Sequence, residues 1–179
     1  MKPTVIDNVI SSAYQDYIEN IFSMNFSWYF TPRISDDVST DPNTGFSHLI
    51  FEDTTTYSNH FGILLPVFFE AFNKYKRGLK PEKLIRIRVG MFIQDQTKQP
   101  HLPHIDFINM KHTNMLYYVN DSDGPTKLYN QDKTKVIKEV HPKKGRVLFF
   151  DGSTYHASSC PKDHPSRIVI NYNFSGTTF

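Results

Sequence analysis

Apolar residues spaced three and four positions apart predict two helices in the first third of the chain. The first helix is capped by Ser11 and Ser12. Its apolar residues are Tyr14, Tyr17, Ile18, Ile21 and Phe22. The second is capped by Ser58 or Asn59 and ends near Gly78. Its apolar residues are Phe61, Leu64, Leu65, Phe68, Phe69 and Phe72.

The period of the pattern changes to two after residue 82. Along residues 85–94, apolar residues alternate with a set that includes Arg86 and Arg88, which predicts a strand with two different faces. Further strands are predicted at residues 113–120, 126–129, 136–141, 146–150 and 167–174. This order predicts a mainly β, α+β fold: an antiparallel sandwich or barrel with the N-terminal helices packed on one sheet. At 179 residues, one domain is expected, with residues 1–80 as helical support and 83–176 as β core.

Composition narrows the chemistry that such a fold can carry. The formal net charge is +2, and no basic patch interleaved with aromatic residues occurs, which argues against nucleic acid and membrane surfaces as partners. Cys160 is the only cysteine, so a disulfide framework and cysteine-based metal sites are excluded. Any metal must therefore be held by imidazole and oxygen. Without a signal-peptide pattern or an apolar run of spanning length, we expect a soluble cytoplasmic protein.

His104 and Asp106 form a motif that can bind a metal ion. Residues i and i+2 of an extended chain point to the same face, so both side chains can reach one ion. His156 follows an apolar strand and a glycine turn, a return that can bring a third ligand beside them. Two histidines and one carboxylate are typical of non-heme iron oxygenases. Arg167 opens an alternating strand eleven residues later and needs an anionic partner, for which a carboxylate is the natural choice.

This order of residues resembles the 2-oxoglutarate- and Fe(II)-dependent oxygenases. Three further segments, residues 116–120, 123–126 and 142–150, are similar to the prolyl 4-hydroxylase branch of that family. The resemblance implies a double-stranded β-helix, which is a jelly roll of the cupin type. It also implies that His104, Asp106 and His156 bind Fe(II) and form the catalytic centre.

For the co-substrate, the resemblance implies that Arg167 and Tyr118 bind the distal carboxylate of 2-oxoglutarate and that Thr126 and Asn171 line its pocket. The implied reaction hydroxylates a C–H bond of a prolyl peptide, a free amino acid or a related small molecule, with release of succinate and CO2. O2 is the other co-substrate, and ascorbate is a supporting reductant. The compact chain with a short helical cover is also similar to virus-encoded oxygenases.

Two other functions stay open at this point. One is a catalytically silent jelly-roll module that keeps the motif as a structural metal site; the other is a nucleic-acid demethylase, which the nearly balanced charge disfavours. Arg86 and Arg88 either line the mouth of the barrel and bind an acidic substrate group or lie on a solvated face. His101 is interpreted as a solvated loop histidine rather than as a further metal ligand. Residues 31–45 and 95–103 are expected to be loops that select the substrate.

Overall fold

The computed structural model describes residues 1–24, 26–34, 43–76, 81–96 and 101–176. Its helices are α1 (Ser12–Ser23) and α2 (Phe61–Tyr75). Its strands are β1 (Thr4–Ile6), β2 (Tyr29–Thr31), β3 (Gly45–Glu52), β4 (Thr55–Thr56), β5 (Lys83–Ile93), β6 (Thr113–Tyr118), β7 (Thr126–Tyr129), β8 (Val136–Val140), β9 (Val147–Asp151), β10 (His156–Ala157) and β11 (Ser166–Ser175). Within the described ranges, no helix is long and apolar enough to cross a membrane.

Two antiparallel sheets form the β part of the fold. The larger has eight strands in the order β1-β9-β6-β11-β5-β3-β2, with β4 paired to β3, and the smaller has three in the order β10-β7-β8. Side chains from both sheets meet in one buried apolar cluster. Its members are Leu116, Tyr118, Leu128, Val140, Leu148, Phe150 and Val169. The two sheets therefore face each other, as in the predicted sandwich.

The helices cover the opposite face of the larger sheet. Phe68 of α2 stacks on Tyr172 of β11 with ring centroids 5.8 Å apart, and it meets Phe174 edge-on at 5.1 Å. The Tyr172 hydroxyl donates to the Leu64 carbonyl oxygen at 2.8 Å, so the polar tip of this buried ring has a partner. The predicted fold class, mainly β with N-terminal helices packed on one sheet, is confirmed.

The first third of the chain contributes more than the helices that its pattern predicts. Strand β3 lies inside the larger sheet and pairs with β5 from Phe46 opposite Met91 to Glu52 opposite Arg86. Strand β1 extends the same sheet beside β9, and β2 pairs with the far side of β3. Short strands of this kind have weak patterns of their own, and their neighbours in the sheet stabilise them. The interpretation of this third as helical was therefore incomplete.

The ends of α2 also differ from the prediction. The residue before the helix is His60, and its side chain forms no capping hydrogen bond. The Ser58 hydroxyl instead accepts a hydrogen bond from the His60 N–H at 3.3 Å, which stabilises the turn that leads into the helix. The predicted cap at Ser58 or Asn59 is therefore wrong. The helix ends at Tyr75, and the predicted end near Gly78 lies outside the described residues.

Strands β5 and β11 lie side by side and direct their polar residues into the space between the sheets. The register places Arg167 opposite Phe92, Asn171 opposite Arg88, and Asn173 opposite Arg86. The alternate residues of β11 enter the core under the helices: Ile168, Ile170, Tyr172 and Phe174. The period-two pattern of both strands thus predicted their two faces correctly, and the polar face is the one that builds the site.

Candidate active site

A cavity of about 120 Å³ lies between the two sheets. Strands β5 and β11 supply much of its wall. The rest comes from the segment before β6, from β6 itself, from the smaller sheet and the residue that follows β10, and from Ile34. Its described lining residues are Ile34, Arg86, Arg88, Gly90, Phe92, His104, Ile105, Asp106, Leu116, Thr126, His156, Ser158, Arg167, Val169 and Asn171. The three predicted metal ligands and Arg167 therefore share one cavity.

A short antiparallel bridge holds His104 and His156 side by side. Each donates its backbone N–H to the carbonyl oxygen of the other at 3.0 Å, and their ring centroids are 4.5 Å apart. His104 belongs to the segment between β5 and β6, whereas His156 begins β10 of the smaller sheet. The chain return that the sequence indicates is thus a pairing of the two ligand segments.

Both histidine rings direct the same nitrogen away from the backbone. Their Nδ1 atoms lie 3.3 Å from the carbonyl oxygens of Leu102 and Thr154, respectively. Because a carbonyl oxygen only accepts, each Nδ1 carries the hydrogen and each Nε2 presents its lone pair. Burial, together with the neighbouring His104, lowers the pKa of His156 to about 4, so this ring is neutral at pH 7.

Asp106 is held by three side chains. The side-chain amides of Asn171 and Asn173 both donate to Oδ2 at 2.9 Å, and Nη2 of Arg86 lies 3.2 Å from Oδ1. Burial alone would raise the pKa of this carboxyl, but the two histidines, Arg86 and the Asn171 amide outweigh burial and hold the pKa below its usual value. The carboxylate is therefore ionised, and its orientation is restricted on both oxygens.

The donor set fits a divalent iron. One ligand atom from each of His104, Asp106 and His156 lies within 4.8 Å of the others. Neutral imidazole nitrogens and an ionised carboxylate are the forms that bind metal, and two histidines with one carboxylate on a single face suit Fe(II). The structure thus brings together the three residues that the sequence singled out.

His101 is separate from this group. Its Nδ1 lies 2.7 Å from the Ser158 hydroxyl, and its Nε2 lies 3.4 Å from the sulfur of Cys160. Its ring meets Phe92 edge-on at 4.7 Å, and the residue is buried. The interpretation of His101 as a solvated loop residue is therefore wrong, because the packing of Phe92 and Ser158 encloses it.

Arg167 is a fully buried cation at the wall of the cavity, with 1% of its surface exposed. Its Nε donates to the Gly124 carbonyl oxygen at 2.8 Å and its Nη2 to the Thr126 hydroxyl at 2.7 Å. Burial lowers the pKa of Arg167, yet a guanidinium stays charged at neutral pH. No carboxylate of the described residues forms an ion pair with it. A buried charge of this kind fits an anionic ligand.

Thr126 and Tyr118 lie beside this arginine. The Tyr118 hydroxyl donates to the Thr126 oxygen at 2.8 Å, and the same oxygen accepts from Arg167. With both lone pairs occupied, the Thr126 hydroxyl has its own hydrogen left to donate. Thr126 lines the cavity, whereas Tyr118 is buried behind it in the cluster between the sheets.

The sequence did not identify the partners of Asp106. Arg86 binds Asp106, donates to Asn173 at 3.0 Å, and lies over the Phe107 ring at 4.5 Å. Both arginines of the predicted strand face line the cavity, which decides against a solvated face. The sequence did contain a signal for these partners of Asp106, because the alternation along β11 places Asn171 and Asn173 on the same face as Arg167.

Comparison with known proteins shows that part of the chain is similar to a known family. Residues 91–175 match the model of the 2OG-Fe(II) oxygenase superfamily, and this segment contains the complete triad and Arg167. No curated protein sequence is significantly similar to this chain.

Solved structures show the same fold at low sequence identity. A 2OG-Fe(II) oxygenase family oxidoreductase from Burkholderia pseudomallei is 11% identical, with a TM-score of 0.73 over 97% of this chain and 85% of that one. A prolyl hydroxylase from Trichoplax adhaerens, in complex with a hypoxia inducible factor peptide fragment, is 16% identical, with a TM-score of 0.67 over 97% and 83%. A viral collagen prolyl hydroxylase from Paramecium Bursaria Chlorella virus-1, in its 2OG complex, is 14% identical, with a TM-score of 0.61 over 98% and 97%.

These neighbours confirm the predicted jelly roll. The family match covers the segment that carries the ligand triad and the buried arginine. That segment, just under half of the chain, is similar to the 2OG-Fe(II) oxygenase superfamily, whose members use Fe(II), 2-oxoglutarate and O2.

Proposed function

We propose that this protein hydroxylates a C–H bond of a prolyl peptide, a free amino acid or a related small molecule, with conversion of 2-oxoglutarate to succinate and CO2. The observation that supports this most directly is a three-ligand metal group and a buried guanidinium in one cavity. His104, Asp106 and His156 bind Fe(II), and Arg167 binds the distal carboxylate of 2-oxoglutarate.

When bound, iron and 2-oxoglutarate supply the oxidising chemistry that inserts one oxygen atom of O2 into the substrate. The chain's own residues prepare the site for them. The ring of His156 is neutral and the carboxylate of Asp106 is ionised, so neither has to release a proton before it binds a metal ion at pH 7. Three protein ligands on one face leave the other face open for co-substrate and O2.

Arg167 and Thr126 orient the co-substrate. The bonds from Arg167 to Gly124 and Thr126 keep the guanidinium plane in one orientation. The Thr126 hydroxyl hydrogen can donate to the same carboxylate. Tyr118 acts through Thr126, because its hydroxyl already donates to that oxygen. Charge-assisted hydrogen bonds are stronger in a buried site than in water, so this end of the cavity holds a carboxylate firmly.

Prolyl peptides are included among the substrates because two of the similar structures are prolyl hydroxylases, one of them with a peptide fragment bound. Free amino acids are included because the cavity is small. The alternative of a catalytically silent module can be tested separately, because such a module would bind Fe(II) and 2-oxoglutarate without forming succinate.

The first test is co-substrate affinity. Replacing Arg167 with Met is expected to weaken 2-oxoglutarate binding by about 3–5 kcal/mol, because it leaves a buried carboxylate without its cation. That is a loss of about a hundredfold or more, measured by calorimetry on protein loaded with Mn(II). Lys83→Met removes an exposed positive charge outside the cavity and serves as the control. Equal affinities of the wild type and Arg167→Met would contradict the assignment.

The second measurement is succinate release with Fe(II), 2-oxoglutarate and ascorbate across proline-containing peptides and free amino acids. Asp106→Ala is expected to abolish release because it removes one of three ligands. Tight 2-oxoglutarate binding without succinate release from any compound would identify the protein as a silent binding module.

A further inference from the structure

Beside the triad, the cavity contains a polar atom that the proposed function does not use. The Asn171 side chain donates its Nδ2 to Asp106, and a carboxylate oxygen only accepts, so this bond determines which way the amide is turned. Its Oδ1 therefore points away from Asp106. This oxygen is buried and has no hydrogen-bond partner among the residues that the structure describes. Buried acceptors are normally satisfied, so a ligand with an N–H or O–H group is expected there.

Arg88 stands next to this oxygen. It lies directly opposite Asn171 in the pairing of β5 with β11, and both side chains line the cavity. Directly opposite residues of an antiparallel pair have Cβ atoms about 5 Å apart. A guanidinium presents its N–H groups as a fork that matches a carboxylate. The pair thus offers one site for an acid group and one for a hydrogen-bond donor, side by side.

The position of this pair separates it from the co-substrate's distal carboxylate. Arg167 is four residues from Asn171 along β11, which is about 13 Å in a strand. Asn173 and Arg86, the next pair along the two strands, both contact Asp106. Arg88 and Asn171 are therefore on the metal side of the cavity, where the carbon to be oxidised must lie.

Resting on the proposed function, we infer that Arg88 and Asn171 recognise the substrate, and that the substrate is a small free acid with a donor on the carbon next to its carboxylate. A free α-amino acid has this chemistry: its carboxylate binds Arg88 and its ammonium group donates to Asn171. A 2-hydroxy acid shares it through its hydroxyl group. A residue inside a peptide chain lacks this chemistry, because it has no free α-carboxylate.

The test titrates wild-type protein, loaded with Mn(II) and 2-oxoglutarate, with each of the twenty coded L-amino acids and with L-lactate as a 2-hydroxy acid. The tightest binder is then compared with two derivatives, one with the carboxylate converted to an amide and one with the amino or hydroxyl group acetylated. Each derivative is expected to bind at least about tenfold more weakly, because each loses one of the two contacts. This series uses unaltered protein, so it does not depend on the stability of a variant.

Arg88→Gln provides the matching change in the protein. It is expected to weaken the tightest ligand by about thirtyfold or more, since it removes the cation from a charge-assisted contact. Lys83→Gln, on the same strand but outside the cavity, removes the same charge and is expected to leave the affinity unchanged.

The failures of the two proposals are distinguishable. Protein that does not bind 2-oxoglutarate at all would overturn the proposed function and, with it, this inference. Protein that binds 2-oxoglutarate but neither the amino acids nor L-lactate would overturn this inference alone. Tighter binding of a prolyl peptide with blocked ends than of any free acid would also overturn this inference. The same holds if Arg88→Gln loses affinity for 2-oxoglutarate but keeps its affinity for the amino or hydroxy acid.

Discussion

Asp123 is a carboxylate that stabilises a loop. It accepts hydrogen bonds from the backbone N–H groups of Lys162, Asp163 and His164 at 2.9, 3.1 and 3.3 Å. The next residue, Gly124, accepts the bond from Arg167. A single turn thus connects the loop before β11 to the arginine of the cavity.

The stability contributed by Asp123 is expected to depend on pH. Burial alone would raise the pKa of this carboxyl, but the backbone N–H groups outweigh it and hold the pKa at about 2, below the ordinary 3.8. The contribution is therefore present above pH 4 and is lost as the pH falls towards 2. Asp123→Ala is expected to lower the free energy of unfolding by about 1–3 kcal/mol at pH 7.

Chemical denaturation of wild type and Asp123→Ala between pH 7 and pH 2 measures this effect. The difference between the two proteins should shrink below pH 4. Asp163→Ala removes an exposed carboxyl from the same loop and serves as the control. A difference that stays constant with pH would show that the ionised carboxylate is not the stabilising group.

Among the elements, helix α2 shows how one face of the larger sheet is stabilised. Its consecutive residues Phe68 and Phe69 have opposite environments: Phe68 is fully buried against β11, and Phe69 is 52% exposed. The sequence pattern placed both residues on the apolar face of the helix, because the pattern alone does not show where the buried part of that face ends.

This contrast leads to a matched pair of variants. Phe68→Ala is expected to lower the free energy of unfolding by about 3–5 kcal/mol, since it removes a buried ring and leaves a cavity. Phe69→Ala removes the same atoms from a half-exposed position and should cost less than about 1 kcal/mol. Urea denaturation measures both. Similar losses for the two variants would mean that α2 does not pack on β11 through Phe68.

In the molecule as a whole, the candidate site joins the two sheets. His156 comes from the smaller sheet, Arg167 and Asn171 come from the larger, and His104 and Asp106 come from the segment between β5 and β6. A ligand bound to all of them connects parts of the fold that are distant in the chain. Its binding free energy is therefore available to the folded state only.

Metal and co-substrate are accordingly expected to stabilise the protein against heat. At a ligand concentration about a hundred times Kd, the gain is about 2.7 kcal/mol for each independent ligand. Thermal unfolding with Mn(II) alone, and with Mn(II) plus 2-oxoglutarate, should show two successive rises in Tm. Asp106→Ala should lose both rises, whereas Asp53→Ala, outside the cavity, should keep them. An Asp106→Ala protein with both rises would contradict the assigned metal site.

Several features of the site could be predicted because they depend on neighbouring residues. His104 and Asp106 are two positions apart, and β11 alternates regularly, so the relevant faces follow from strand geometry. Other features could not be predicted. The bond between Tyr118 and Thr126 and the burial of His101 beside Ser158 depend on how separate segments pack.

By itself, the pattern of the sequence determined the mainly β class with N-terminal helices, the polar faces of β5 and β11, and the pair His104 and Asp106, since periodicity and short spacing are local properties. The jelly roll and the complete triad were implied by the resemblance to a known family. The tertiary structure alone decided that Arg86 binds Asp106 and that β3 lies inside the larger sheet. It also decided that the side-chain oxygen of Asn171 is buried with no hydrogen-bond partner among the described residues. The physical reason is that these contacts join residues far apart in the chain. Their energies come from burial and strand pairing, which exist only after the chain has folded.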